Sequence, residues 1–153
     1  APFVYNGRAS HRRVKNFGVN FDYDRKVTYL DGPVPAESDW LLERVAATIG
    51  LPASRLTELL ITEYSPGAGI NWHRDSRPFE TVVGVSLGHD AALQLRPVVK
   101  KGERSPITKL VAQARSMYVL EGPARTHWMH RVPPVDVERW SLTIRSVRPG
   151  WEA

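Results

Sequence analysis

His73 and Asp75 are separated by one residue, and residues i and i+2 of a strand project from the same face. The pair can therefore share one metal ion while Arg74 points away. A third ligand must come from elsewhere: His130 can supply it from a distant strand, with His127 as its rival. Two imidazoles and one carboxylate on one side of an ion leave the other side open. That arrangement suits an Fe(II) that must also hold O2 and a second organic ligand. Zinc in a hydrolytic site is the chemical rival, since zinc binds such ligands more tightly.

A second chemical signal lies near the end of the chain. Arg139, Ser141, Thr143 and Arg145 alternate with Trp140, Leu142 and Ile144, giving a strand with one polar and one apolar face. At about 3.3 Å per residue the two arginine backbones stand ~20 Å apart, a gap that long converging side chains can narrow to the length of a small dianion. Such a strand can grip both carboxylates of a short diacid, because the guanidinium fork matches a carboxylate bidentately and stays charged.

The elements that must position these residues are mostly strands. Frequent prolines punctuate short segments, and the pattern predicts strands over 12–17, 56–64, 81–87, 92–96, 107–111, 117–120 and 139–147. Ser65-Pro66-Gly67 reads as a turn after Tyr64, with Pro and Gly in the positions a type II turn favours. The run 70–75 is then expected to pair beside 56–64, bringing Tyr64 near the metal strand. One helix is expected over 38–49, where Leu41, Leu42, Val45, Ala46 and Ile49 form an apolar stripe between a Ser38 cap and a Gly50 stop. Together these predict a mainly β fold, a double-stranded β-helix (jelly roll) with one or more flanking helices.

With 153 residues the chain is expected to form a single domain over 1–153, large enough to bury a substantial core. Its start at Ala1 suggests N-terminal trimming. The absence of cysteine favours a reducing compartment, read as cytoplasmic. No apolar run reaches the ~20 residues of a membrane span, so no membrane partner is expected, and a monomer is. The net charge of +5 favours a polyanionic partner. The cations cluster as Arg8, His11, Arg12, Arg13 and Lys15, and again as Lys100, Lys101 and Arg104.

The residues resemble a known family, the AlkB-like Fe(II)- and 2-oxoglutarate-dependent dioxygenases. Thr62-Glu63-Tyr64-Ser65-Pro66-Gly67 through Ile70-Asn71-Trp72-His73-Arg74-Asp75 is similar to the family's asparagine-x-tyrosine, proline-glycine, histidine-x-aspartate signature. Arg139 to Arg145 resembles its terminal arginine-x5-arginine strand, and Val85-Ser86-Leu87-Gly88 resembles another recurrent segment. The likeness runs in order over residues 12–147. It implies that His73, Asp75 and His130 bind Fe(II); His130 is favoured over His127 by its separation from Arg139. It also implies that Tyr64 and Arg139 hold the distal carboxylate of 2-oxoglutarate, that Arg145 sits near the iron-chelating end, and that Thr62 and Ser141 line the cosubstrate site.

The chemistry so implied consumes O2, converts 2-oxoglutarate to succinate and hydroxylates a substrate C–H bond. On an N-methyl group the product falls apart to formaldehyde and the restored base. Residues 8–35 are expected to form a substrate lid, with Arg12 and Arg13 meeting phosphates and Phe17, Phe21 and Tyr23 stacking on a base. The implied partner is alkylated DNA or RNA, for repair or RNA modification. Two departures bear on substrate: Thr62 stands where the signature has asparagine, and Arg77 stands where DNA-repair members carry an acid beside the flipped base. The alternatives are a related hydroxylase or demethylase acting on protein or a small molecule, and a non-enzymatic basic jelly roll that binds nucleic acid.

Overall fold

The computed structural model describes residues 1–5 and 8–152, without the side chains of 3–5 and 8–10. The Arg8 side chain of the first basic cluster thus lies outside the described residues. Two antiparallel sheets face each other. The larger is ordered β1 (Pro2–Tyr5), β2 (Arg8–Asp22), β4 (Leu56–Tyr64), β11 (Arg139–Val147), β6 (Phe79–Leu87) and β9 (Ser116–Leu120), with β3 (Val27–Leu30) hairpinned onto β2. The smaller is ordered β5 (Ile70–His73), β10 (Trp128–Val132), β7 (Ala91–Pro97) and β8 (Thr108–Ala112). This is the jelly roll expected from the strand pattern, a sandwich whose interior receives alternate side chains from both sheets.

The period-2 alternation sorts each strand of the large sheet into two faces. Leu59, Ile61, Val83, Val85, Met117, Val119, Leu142 and Ile144 point outward and are covered by α1 (Asp39–Ile49) through Leu42, Val45 and Ala46. The inward set includes Val82, Tyr118 and Leu120, which meet Leu93, Leu95 and Val132 of the small sheet. Burial of such aliphatic side chains stabilises each layer by roughly 1.5–3 kcal/mol per residue. The strands over 56–64 and 139–147 form with the bounds read from sequence, and the others shift by a residue or two, apart from β2, which is much longer. The short strands β1 and β3 and the five-residue helix α2 (Gly122–Thr126) were not foreseen.

Three local expectations need correction. The run 70–75 does not pair beside β4: the Pro66-Gly67 turn carries the chain to the other sheet, where β5 pairs with β10. Bonds from Gly67 N–H to the Val135 carbonyl and from Val135 N–H to the Ala68 carbonyl hold that crossing. β5 also ends at His73, so Asp75 is not on the strand but in the segment that follows it. Ser38 does not cap α1 with its side chain, because its Oγ donates instead to the Pro35 carbonyl within a preceding 3-10 turn. Gly50 does end the helix, in a left-handed conformation.

Candidate metal centre and cosubstrate pocket

His73 and His130 lie opposite each other in the β5–β10 ladder, and their rings stand 4.2 Å apart. His73 Nδ1 lies 2.7 Å from the Asn71 carbonyl. With Nδ1 donating there, the lone pair falls on Nε2, the nitrogen that faces the site. Asp75 Oδ1 lies 3.4 Å from His73 Nε2 and 3.5 Å from His130 Nε2. The three ligand atoms all fall within 4.8 Å of one another, a spacing that could hold one metal ion. Asp75 is almost fully buried and His73 is the most exposed of the three, so the centre opens on the His73 side. His127 takes no part: it is exposed and hydrogen bonds to Thr126 Oγ1.

Asp75 reaches the histidines because two arginines fix the segment that carries it. Arg145 Nε donates to Asp75 Oδ2 at 2.8 Å, and buried Arg125 of α2 donates to the neighbouring Ser76 carbonyl. Arg74 bonds the Thr126 carbonyl at 2.8 Å, tying the same segment to α2. Burial alone would raise the Asp75 carboxyl, but Arg145 and the two histidines outweigh it and hold Asp75 well below the usual carboxylate range. Burial pushes His130 down to about 4 despite the opposing pull of Asp75. Asp75 and His130 are therefore unprotonated at neutral pH, the state in which such residues bind a metal.

The inner face of β11 forms the facing wall. Arg139, Ser141 and Arg145 are buried or nearly so. Arg145 Nη1 donates to Glu58 Oε2 at 2.7 Å, and the Asn16 amide, oriented with its nitrogen towards Glu58, donates to Oε1 at 2.8 Å. Burial raises the Glu58 carboxyl, with Arg145 pulling it back. Arg145 is in turn raised, its burial outweighed by Asp75 and Glu58. Glu58 was missed in the sequence, although it shares the inward set of β4 with Thr62 and Tyr64, where an acid is out of keeping with a plain core. Tyr64 is buried with Arg139 stacked over its ring at 4.9 Å. Thr62 is buried on the same face, opposite Ser141 in register.

Arg139 Nη2 donates to Ser86 Oγ at 2.8 Å, whereas its Nε is buried without a partner. A buried guanidinium N–H without an acceptor is costly, and a ligand carboxylate would satisfy it. The donor set fits an iron and a 2-oxo diacid between them: two imidazoles with a carboxylate at one end and an incompletely satisfied arginine at the other.

The residues expected on the substrate side are more scattered. Arg12 is half-buried, donates to the Gly69 carbonyl, and has its basicity lowered by burial, with Tyr64 and Tyr23 opposing. Arg13 projects from the other face and pairs with Glu63. Phe17 also faces outward and packs beneath α1, so its ring belongs to the helix-side core and does not face the candidate metal site. Phe21 packs edge-on against Tyr23 at 5.2 Å, and Ser76 Oγ donates to the Tyr23 hydroxyl at 2.7 Å, joining the β2–β3 hairpin to the metal segment. The Arg77 side chain is exposed beside that segment. Among the described residues no helix is long and apolar enough to cross a membrane.

Comparison with known proteins points the same way as this geometry. A family model described as the 2OG-Fe(II) oxygenase superfamily matches residues 10–148. The chain is 29% identical over 129 residues to the tRNA (carboxymethyluridine(34)-5-O)-methyltransferase alkbh8 of Xenopus tropicalis, covering 81% of this chain and 20% of that protein. It is 28% identical over 171 residues to the alkylated DNA repair protein ALKBH8 homolog of Arabidopsis thaliana, covering 90% of this chain and 49% of that one. It thus spans half or less of the length of these relatives. The solved structure of OsALKBH1 superposes with a TM-score of 0.71 at 15% identity, covering 95% of this chain and 82% of that chain, a likeness of fold.

Proposed function

The chain belongs to the 2OG-Fe(II) oxygenase superfamily and is AlkB-like, and from that premise we propose that it oxidatively demethylates N-alkylated bases in nucleic acid. His73, Asp75 and His130 hold Fe(II) in this reading. Tyr64 and Arg139 receive the distal carboxylate of 2-oxoglutarate, Thr62 and Ser141 line its path, and Arg145 lies at the chelating end. When bound, Fe(II), 2-oxoglutarate and O2 supply an oxidation in which the 2-oxo acid becomes succinate and CO2 while one oxygen atom enters a substrate C–H bond. An N-methyl group so hydroxylated leaves as formaldehyde.

The protein's own groups bind, orient and exclude water. Arg145 keeps Asp75 ionised and aimed at the two histidines. Glu58 balances the second face of the Arg145 guanidinium, so the arginine cannot swing into the ligand space. Residues 8–35 form the substrate lid, with Arg12 and Tyr23 at the mouth and Tyr23 held by Ser76. The observation that carries the reading is the convergence of the three ligand atoms within 4.8 Å, facing a wall whose Arg139 Nε lacks an acceptor.

A second reading keeps the C–H hydroxylation but changes the base, so that the added oxygen stays on the product. Exposed Arg77 beside the metal segment opposes a cationic methylated base and suits a neutral or anionic one, and the Xenopus relative is named for carboxymethyluridine in tRNA. A turnover screen decides: the protein with Fe(II), ascorbate and 2-oxoglutarate is offered modified DNA, RNA and peptide pools, and succinate and mass changes are followed. Loss of methyl mass from DNA or RNA supports the first reading, and gain of oxygen on a modified uridine the second. Turnover only on peptides would overturn both.

A further inference from the structure

The outer face of the small sheet, turned away from the metal centre, collects positive charge. Alternation along its strands puts His73, His130 and Leu95 on the inner face, and Trp72, Arg131, Arg96 and Lys109 on the outer one. In register, Arg96 lies opposite Met129, and Gln94 lies between Arg131 and Lys109. Arg96 and Arg131 both stack on the Trp72 ring, at 4.3 Å and 4.9 Å from its centre. Arg131 Nε also donates to Gln94 Oε1 at 2.6 Å, which fixes that guanidinium further. From Arg96 and Met129 the face runs into a groove of about 440 Å³ under the β7–β8 loop, which adds Lys100, Lys101 and Arg104.

Two guanidiniums held on one indole repel each other, and a neighbouring acid would ordinarily relieve them. Among the described residues none of these six cations forms an ion pair. Glu103, the one acid lining the groove, accepts the Lys100 backbone N–H instead. Stacking on Trp72 and the Gln94 bond account for where the two arginines sit, but not for so many like charges left unbalanced together. A row of cations held at fixed points complements a ligand with its own row of anions, as a phosphodiester chain has. The position suits such a chain. β5 is the edge strand of this sheet, and Trp72 precedes His73, the residue on whose side the metal centre opens. A strand whose target base enters there can turn over β5 directly onto the stacked arginines.

We propose that the outer face of the small sheet is a second nucleic-acid contact, at which Arg96, Arg131, Lys109 and the cations of the β7–β8 loop hold phosphates of the strand that flanks the target base. The assignment rests on the reading of the substrate as nucleic acid given above. It adds affinity without reading sequence, and only for substrates long enough to round the β5 edge.

Fluorescence anisotropy of labelled, unmodified single strands, titrated at several salt concentrations, tests this without turnover. A strand of about twenty nucleotides reaches the face and one of about five does not. Arg96→Gln with Lys109→Gln should lower the salt slope of the long strand by about 1.4, at ~0.7 per phosphate contact, and leave binding of the short strand unchanged. Lys100→Gln with Lys101→Gln, confined to an exposed loop, should act in the same way without touching the sheet. Arg44→Gln, on the exposed side of α1, should have no effect. An unchanged slope for the long strand in both double variants, or the same loss with the short strand or with Arg44→Gln, would overturn the proposal. So would tighter binding of polyglutamate or of anionic vesicles than of the long strand, which would give the face to an acidic protein or a lipid surface. Failure of the wild type to bind either strand would instead overturn the nucleic-acid reading itself.

Discussion

Arginines line both the inner face of β11 and the rim built from β2, under opposite conditions. Arg145 sits between two buried carboxylates, and Arg139 is 2% exposed with one N–H unsatisfied. Arg13 makes its ion pair with Glu63 while 61% of its side chain remains in solvent. The same side chain is thus a fixed structural charge in one place and an adjustable one in the other. In the interior, removing one partner leaves an uncompensated charge and costs about 3–5 kcal/mol. At the rim water replaces the partner, and pairs contribute about 0–1 kcal/mol.

The contrast breaks first, and hardest, at the metal. His130→Ala should abolish Fe(II) binding and turnover while His127→Ala leaves both near wild type, as read by metal content after desalting and by succinate formation. Iron retained by the His130 variant and lost by the His127 variant would reverse the assignment. Next comes the buried ion network: Arg145→Met should lower stability by about 3–5 kcal/mol in denaturant unfolding of the metal-free protein. A loss under 1 kcal/mol would mean that the interior arginines behave like those of the rim.

Acid titration sharpens the same comparison. The folded-state pKa of His130, about 4, lies below the ~6.5 of an unfolded histidine. The unfolded chain therefore binds the extra proton first as pH falls. Metal-free stability should decline from about pH 6.5 to about pH 4, by at most ~1.4 kcal/mol per unit. The depressed Asp75 carboxyl extends the decline below the usual carboxylate range. His130→Gln should flatten the upper part of that slope, and an unchanged slope would assign the decline elsewhere. The smallest effect belongs to the rim: Arg13→Ala should change stability by less than 1 kcal/mol. If Arg12 touches a phosphate, Arg12→Ala should reduce the salt dependence of oligonucleotide binding by about one unit of slope.

Sequence reading reached the parts that depend on strand periodicity. The alternation in 139–147 separates Arg139, Ser141 and Arg145 from Trp140, Leu142 and Ile144, and the structure buries the first set on the inner face as that pattern requires. It failed where long-range contacts decide. The histidine-x-aspartate spacing suits a strand, yet Asp75 lies beyond the last ladder pair, where Arg125 and Arg145 hold its segment. Glu58 stands out in the sequence only by its parity with Thr62 and Tyr64, and the long-range pairing with Arg145 is what gives it meaning. Phe17 lies in a basic, aromatic stretch that suggests a substrate surface, but parity along β2 turns it to the helix side.

The ion network has a consequence for how the molecule assembles. Its contacts join residues far apart in the chain, 70 positions between Asp75 and Arg145 and 87 between Glu58 and Arg145. Closing loops of that length is entropically slow and is rewarded only when the whole sandwich has formed. A nascent or partly folded chain that has built one sheet has His73 and His130 without the wall that aims Asp75. On the proposed ligand set, tight metal capture should therefore follow folding and lock the closed sandwich rather than nucleate it.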